Sequence, residues 1–345
     1  MRAVAVVEPN RVELVEIGEP EVGPYQAKVK TEVSLLCNST DGKLVSGHFP
    51  GVEEYPLMLG HEVAGIVESV GEKVQNFKIG DRVIGGLLFE FGDPKYSSGW
   101  GGFCEYTLAN DHDAMVADGV ADEAHGWFEC YEIQRRVDPD IPLEAAGLLC
   151  TWREVYGAFG DFNLKAGDDI LVFGAGPVGL SFAKFAKLLG LGYVGVVDRH
   201  APKREKAKLM GADEVFTPGS PDLEKLTEKR GKPLDAVIDA VGKEEIINAA
   251  LPLIKLGGSI CVYGVVAGES LAINKSTGPF NFNLLVHQWP TRSREREAQE
   301  PLCNWIRADK LKPEEFITHE FPVEQINEAL KAVKRGEVIK ALLRY

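Results

Sequence analysis

The stretch DDILVFGAGPVGLSFAKFAKLLGLGYVGVVD, residues 168–198, admits few folds. An apolar run, Ile170–Phe173, reads as a buried strand and leads directly into Gly174-Ala175-Gly176-Pro177-Val178-Gly179. A helix-length run, Val178–Leu189, follows, and a second strand-like run ends in Asp198, nineteen residues after Gly179. A bare G-x-G-x-x-G carries little information, but set between strand and helix and completed by an acidic residue it predicts a dinucleotide site. Gly174 allows the tight turn, Gly176 lets the backbone approach a pyrophosphate, and Gly179 lets helix and strand pack closely. The helix entrance, at Pro177 and Val178, presents unpaired N–H groups and a positive dipole end to the phosphates. Asp198 is placed to accept hydrogen bonds from the adenosine ribose, and its charge repels a 2′-phosphate. NAD is therefore expected rather than NADP, with Arg199 the neighbouring side chain able to receive the extra phosphate.

The rest of the chain divides around this motif. At 345 residues it exceeds one small core, and two domains are expected. Residues 1–110 contain short β-rich pieces such as AVAVV, RVELVEI, AKVKTEVSLL and HEVAGIVESV, split by Gly and Asn turns, which suggests a barrel-like unit. Beyond residue 152, strand-like and helix-like runs alternate as in a parallel sheet covered by helices. That alternation fades near 290, after FNLLVHQW (282–289). Val323, Ile326, Leu330 and Val333 then share one helical face, Gly336 marks its stop, and VIKALLRY reads as a final strand. The chain is expected to return at its end to the first domain. One segment, 110–141, shows no clear period and is expected to be a surface loop, with a lid as the alternative.

Thirty-eight basic against fifty-two acidic side chains give a formal charge of −14, which opposes nucleic acid and anionic membranes as partners. No apolar run approaches the roughly 18–20 residues that span a bilayer, no signal-peptide pattern is present, and a cytoplasmic location is expected. The six cysteines are too scattered for a disulfide scaffold, which leaves thiols or metal ligands. Catalytic zinc usually takes three protein ligands and keeps one open position. Cys37, His61, Glu62 and Cys150 are candidates, though taken singly each thiol also suits a buried core and His61 a satisfied turn.

The segments VSLLCNSTD, YPLMLGHEVAGIVESVGEKVQNFKIGDRV, GGFCEYTLA, FGAGPVGL and INEALKAVKRGEVIKALLRY, spread over nearly the whole length, resemble the zinc-dependent medium-chain dehydrogenase/reductase family, near its sorbitol and threonine dehydrogenase branches. The resemblance implies an α/β architecture: a β-rich GroES-like catalytic domain over 1–152 and 293–345, and a Rossmann doubly wound parallel-sheet cofactor domain over 153–292. It implies that Cys37 and His61 are the first two zinc ligands, that Cys150 is the third, that Glu62 is a nearby and sometimes transient ligand, and that the Ser39 hydroxyl takes the alcohol proton. Glu154, one helical turn after Cys150, is a lesser candidate for ligand or substrate contact.

Three departures matter. Residues 84–101 contain no cysteine, so the family's second, structural zinc is expected to be absent and one catalytic zinc per chain to remain. The carboxylate often found three residues after the first cysteine falls at Asp41 rather than Thr40, leaving its contact with the site open. Gly42 replaces the histidine that ends the proton relay in several family members, so water becomes the expected final acceptor, with His48, which equally suits a simple loop role, a substitute.

The expected reaction is hydride transfer between a secondary alcohol, polyol-, cyclitol- or sugar-like, and NAD, giving the ketone. Trp152, Arg153, Phe89, Glu90 and Trp100 are candidate lining residues, each equally suited to packing or surface; Arg153 in the pocket would favour an acidic substrate. A zinc-free quinone or enoyl reductase on the same fold and an idle cofactor-binding protein are the alternatives. A homotetramer or homodimer is expected, with FNLLVHQW where family members pair strands between subunits.

Overall fold

The computed structural model describes residues 1–266, 268 and 270–345. The chain divides into two compact units, Met1–Arg153 with Arg296–Tyr345, and Glu154–Glu295. Among the described residues no helix is long and apolar enough to cross a membrane.

In the first unit the β-rich reading becomes two sheets. One has the order Arg11–Glu16, Arg2–Glu8, Leu57–Met58, Ser97–Ser98. The other runs Ile317–Pro322, Lys340–Arg344, Gln26–Leu35, Val63–Val70, Arg82–Ile84, Arg135–Val137, with Tyr106–Asn110 also paired to Gln26–Leu35. The C-terminal strand is thus central in this sheet, antiparallel to Gln26–Leu35 with Leu342 opposite Leu35. Gln26–Leu35 in turn pairs antiparallel with Val63–Val70, Ser34 opposite Val63. Antiparallel pairing sets the end of one strand beside the start of its neighbour. Here it collects the residues just after Leu35, just before Val63 and at Lys340 along one edge of the sheet.

Beneath that edge, Val4, Leu36, Leu44, Leu57, Leu59 and Phe103 are buried together with Ile326 and Leu343. Each such side chain contributes about 1.5–3 kcal/mol on leaving water, so the platform under the site is firm. The helix Ile326–Lys334 buries Ile326, Ala329 and Ala332; of the other positions on the predicted face, Leu330 and Val333 are half-buried against the same cluster and buried Val323 lies in the turn ahead of the helix, while Gly336, at φ +76°, follows its last turn.

Segment 110–141 is not the plain surface loop that was expected. It holds a helix, His112–Ala117, capped by Asp111, two 3-10 turns, and the strand Arg135–Val137 that pairs with Arg82–Ile84. Elements of three to six residues are too short to display a period, which is why the sequence alone read as irregular.

The second unit is an all-parallel sheet in the order Glu214–Phe216, Val194–Val197, Ile170–Phe173, Leu234–Asp239, Ile254–Val262, Asn283–Val286. In chain order this is 3-2-1-4-5-6, the doubly wound dinucleotide-binding topology, whose direction reverses beside Ile170–Phe173. All four residues of that strand and of Val194–Val197 are buried, as central parallel strands require. The glycine-rich helix spans Pro177–Leu188, one residue earlier than expected, because proline suits a first helical turn.

Candidate functional site

The sheet edge in the first unit carries the metal candidates. Cys37, His61 and Glu62 bring one ligand atom each within 4.8 Å of one another. Gly60 makes the presentation of His61 possible: it holds φ +107°, and a Cβ there would stand 2.4 Å from the backbone nitrogen of Phe103.

Two buried polar atoms in this group lack a hydrogen bond, Oδ1 of Asp41 and Nδ1 of His61, and they face each other at 3.6 Å. The second oxygen of Asp41 accepts from the backbone N–H of Cys37 at 2.8 Å. Burial pushes the Asp41 carboxyl up to about 7, with His61 opposing that rise. The helix Thr40–Ser46 turns Asp41 inward, so a carboxylate reaches the imidazole despite its one-residue displacement. An imidazole that directs Nδ1 to a carboxylate leaves Nε2 for a metal, and Nε2 lies on the side of Glu62, 3.9 Å away. The donor set, a thiol, an imidazole and a carboxylate, suits zinc.

Glu62 is more firmly held than the sequence implied. Both of its oxygens lie 2.5 Å from Nζ of Lys340, and Oε2 also accepts from the hydroxyl of Thr151 at 2.8 Å. Burial works against the Lys340 ammonium, but Glu62 and Cys37 more than offset it, and its pKa stands above that of an ordinary lysine. Neither Lys340 nor Thr151 was singled out from the sequence; a lysine in the otherwise apolar run VIKALL was the available signal.

Cys150 stands outside the three-residue group, yet its Sγ approaches the carbonyl of Val63 at 3.9 Å, so the helix Leu143–Asp161 carries it alongside the His61–Val63 segment. Glu154, on the same helix, accepts from the Tyr263 hydroxyl at 3.3 Å. Ser39 is exposed just ahead of the helix Thr40–Ser46 and makes no capping bond; His48 is also exposed. Two lining candidates are packing residues instead. Trp152 is buried against Phe316, and Arg153 is fully buried, donating to the carbonyls of Leu149 and Ile133 and to Gln299. A guanidinium so enclosed is satisfied by the fold itself. Phe89 packs on Phe128 at 4.8 Å, and Glu90 is exposed. The cysteine-free lobe packs its Leu88 and Phe91 against Met58 and Cys104, which lie outside it.

In the second unit, Gly176 caps the helix that begins at Pro177, and a Cβ on Gly176 would meet nothing within 4 Å, leaving open space where a pyrophosphate would lie. Gly179 has no such room: its Cβ would stand 1.8 Å from the carbonyl of Gly174. Val178, between them, is half-buried. Asp198 follows the strand Val194–Val197 and accepts from the N–H groups of Ala175 and His200. Arg199 bonds to the His200 ring at 2.9 Å.

The profile of the zinc-binding dehydrogenase family matches residues 177–297, and that of the alcohol dehydrogenase GroES-like domain matches residues 23–118. The chain is 31% identical to S-(hydroxymethyl)glutathione dehydrogenase of Saccharomyces cerevisiae, over 97% of its length and 93% of that protein's. The chain belongs to the zinc-dependent dehydrogenase family. This membership makes it an oxidoreductase of the alcohol dehydrogenase superfamily, with a GroES-like and a Rossmann unit. Sorbitol dehydrogenase of Halalkalibacterium halodurans is 26% identical across 94% of the chain and 93% of that relative. An alcohol dehydrogenase of E. coli CFT073, solved with NADH, shares the fold at a TM-score of 0.80 and 21% identity, covering 100% of this chain and 99% of that one.

Proposed function

We propose that this zinc-family dehydrogenase oxidises secondary alcohols of the polyol, cyclitol or sugar class to ketones with NAD, and catalyses the reverse reduction. The observation that carries the reading is the convergence of Cys37, His61 and Glu62, with the unpaired Asp41 carboxylate oxygen facing His61 Nδ1 at 3.6 Å. In this reading residues 1–152 and 293–345 carry the metal chemistry and 153–292 bind the cofactor.

Cys37, His61 and Cys150 are the residues that would hold one zinc, and Glu62 is the adjacent carboxylate. When bound, zinc would lower the pKa of an alcohol hydroxyl as a Lewis acid, and NAD would accept the hydride. Asp41 orients the imidazole and fixes its tautomer. Lys340 and Thr151 restrain Glu62, keeping its charge beside the site without leaving it unpaired. Ser39, two residues after Cys37 and exposed, receives the alcohol proton and passes it to water.

The turn at Gly174, the open backbone at Gly176, and the helix entrance at Pro177, Val178 and Gly179 cradle the pyrophosphate. Asp198, already tied to that turn through Ala175, accepts from the ribose hydroxyls, and Arg199 is engaged by His200; both features favour NAD over NADP. The edge strand Asn283–Val286 has Phe280 at 96% and Trp289 at 49% exposure beside it, and suits self-association as a dimer or tetramer.

Elemental analysis of chain purified without chelator tests the reading. About one zinc per chain, lost in Cys37→Ser together with NAD-linked alcohol oxidation, is expected. Zinc-free protein that still bound NAD would overturn the metal chemistry.

A further inference from the structure

Trp100 has a backbone that its side chain disfavours. It holds φ +71°, a region that costs a bulky L-residue about 1–2 kcal/mol. Surrounding contacts enforce the conformation. The carbonyl of Trp100 accepts from Leu88 at 3.0 Å, and the next residues clasp the loop that presents His61: Gly102 donates to the carbonyl of Gly60 at 2.7 Å, and Phe103 to that of Leu59 at 2.8 Å.

The strained residue directs its ring to the metal candidates. The indole centroid lies 5.5 Å from that of His61, tilted by 57°, and Phe49 meets the indole edge-on at 5.6 Å. Phe49 and Trp100 are both half-buried and rooted in the same apolar cluster, so the pair is anchored below and partly open above. Packing alone does not require a tryptophan at positive φ, since a glycine would relieve the backbone. Strain held by the fold beside a reactive group is the usual mark of a residue kept for positioning.

We infer that Trp100, backed by Phe49, is a specificity-determining residue that stacks against the C–H face of a cyclic secondary alcohol whose hydroxyl reaches the Cys37, His61 and Glu62 group. The inference rests on the alcohol dehydrogenase reading and narrows it from secondary alcohols of the polyol, cyclitol or sugar class to those whose carbinol carbon belongs to a ring. A saturated ring offers a flat, rigid array of weakly positive C–H groups to the negative face of an indole. An open chain of the same size must freeze several rotors to make equal contact, which costs about 0.5–1.5 kcal/mol for each flexible group ordered.

The test compares cyclohexanol with 2-hexanol, and myo-inositol with sorbitol, as substrates of the wild type, Trp100→Gly and Trp100→Phe. The glycine variant suits the positive φ but takes the indole out of its apolar cluster, so thermal unfolding and zinc content are measured on each variant, and Trp100→Phe keeps an aromatic ring in place. The expected result is a cyclic-to-acyclic ratio of kcat/KM that falls about tenfold or more in Trp100→Gly and recovers largely in Trp100→Phe. An equal fall for both substrates of each pair, or no fall, overturns the inference while leaving the dehydrogenase reading standing. If no alcohol is turned over by zinc-loaded wild type, the reading fails. Fluorescence then decides about Trp100: a change on titrating cyclohexanol that is present in the wild type and absent in Trp100→Phe supports the contact, and no such difference refutes it.

Discussion

The Lys340 ammonium and the Glu62 carboxylate, 278 residues apart in the chain, form a buried ion pair with Nζ 2.5 Å from both oxygens. The pair ties the last strand of the chain to the residue beside His61. Its size as a perturbation follows from burial: removing one partner strands the other charge.

Lys340→Met is expected to destabilise the first unit by about 3–5 kcal/mol, the usual cost of a buried charge left alone. Adding Glu62→Gln to the same chain should recover a large part of that loss, because the glutamine still accepts from Thr151. Urea unfolding of the two variants measures both. A double variant as unstable as the single one would mean that the lysine acts by packing.

Stoichiometry separates the proposed zinc ligands. Cys37→Ser, His61→Ala and Cys150→Ser should each lower bound zinc well below the expected value of about one per chain, whereas Glu62→Gln should retain it, since Lys340 and Thr151 already engage that carboxylate. Zinc kept in Cys150→Ser and lost in Glu62→Gln would exchange the two roles.

The cofactor turn offers a pair of contrasting glycines. Gly176→Ala meets no protein atom within 4 Å and should change stability by less than about 0.5 kcal/mol, yet weaken NAD binding about tenfold or more. Gly179→Ala, with its Cβ 1.8 Å from a carbonyl oxygen, should destabilise the unit itself. Calorimetric titration with NAD beside thermal unfolding distinguishes them; equal NAD affinity in Gly176→Ala would remove the pyrophosphate from that turn.

Acid stability should depend on Asp169. Burial raises its pKa, but Lys232, the Tyr193 N–H and Arg230 outweigh this and hold the carboxyl down at about 2. A carboxyl depressed on folding stabilises above its unfolded pKa of about 4 and loses that contribution as pH falls through about 2. Asp169→Asn should therefore cost about 1–2 kcal/mol at neutral pH, allowing for the exposed Lys232, and flatten the loss of stability between about pH 4 and 2. Denaturant midpoints at stepped pH measure the slope, and parallel curves for the two proteins would exclude this carboxylate.

Much of the molecule was legible because local rules govern it. The glycine-rich turn between strand and helix depends on backbone geometry that only certain residues allow, and the alternation of apolar runs beyond residue 152 encodes burial on both faces of a sheet. The pairing of Cys37 with His61 was expected from resemblance, and the strands Gln26–Leu35 and Val63–Val70 bring both into one group. Less legible were Arg153, a possible substrate contact that the fold encloses, and segment 110–141, whose elements are too short for a period to emerge.

By itself the sequence determined the class of fold, the nucleotide turn and the residue types from which a zinc site can be made, since each follows from spacing or from chemistry carried by neighbouring residues. Tertiary structure alone decided that Asp41 faces His61, that Lys340 and Thr151 restrain Glu62, and that Trp100 lies beside the imidazole. Those contacts depend on strand register and on a turn of helix. A one-residue shift in either redirects a side chain, and no short window of sequence records the partner waiting on another strand.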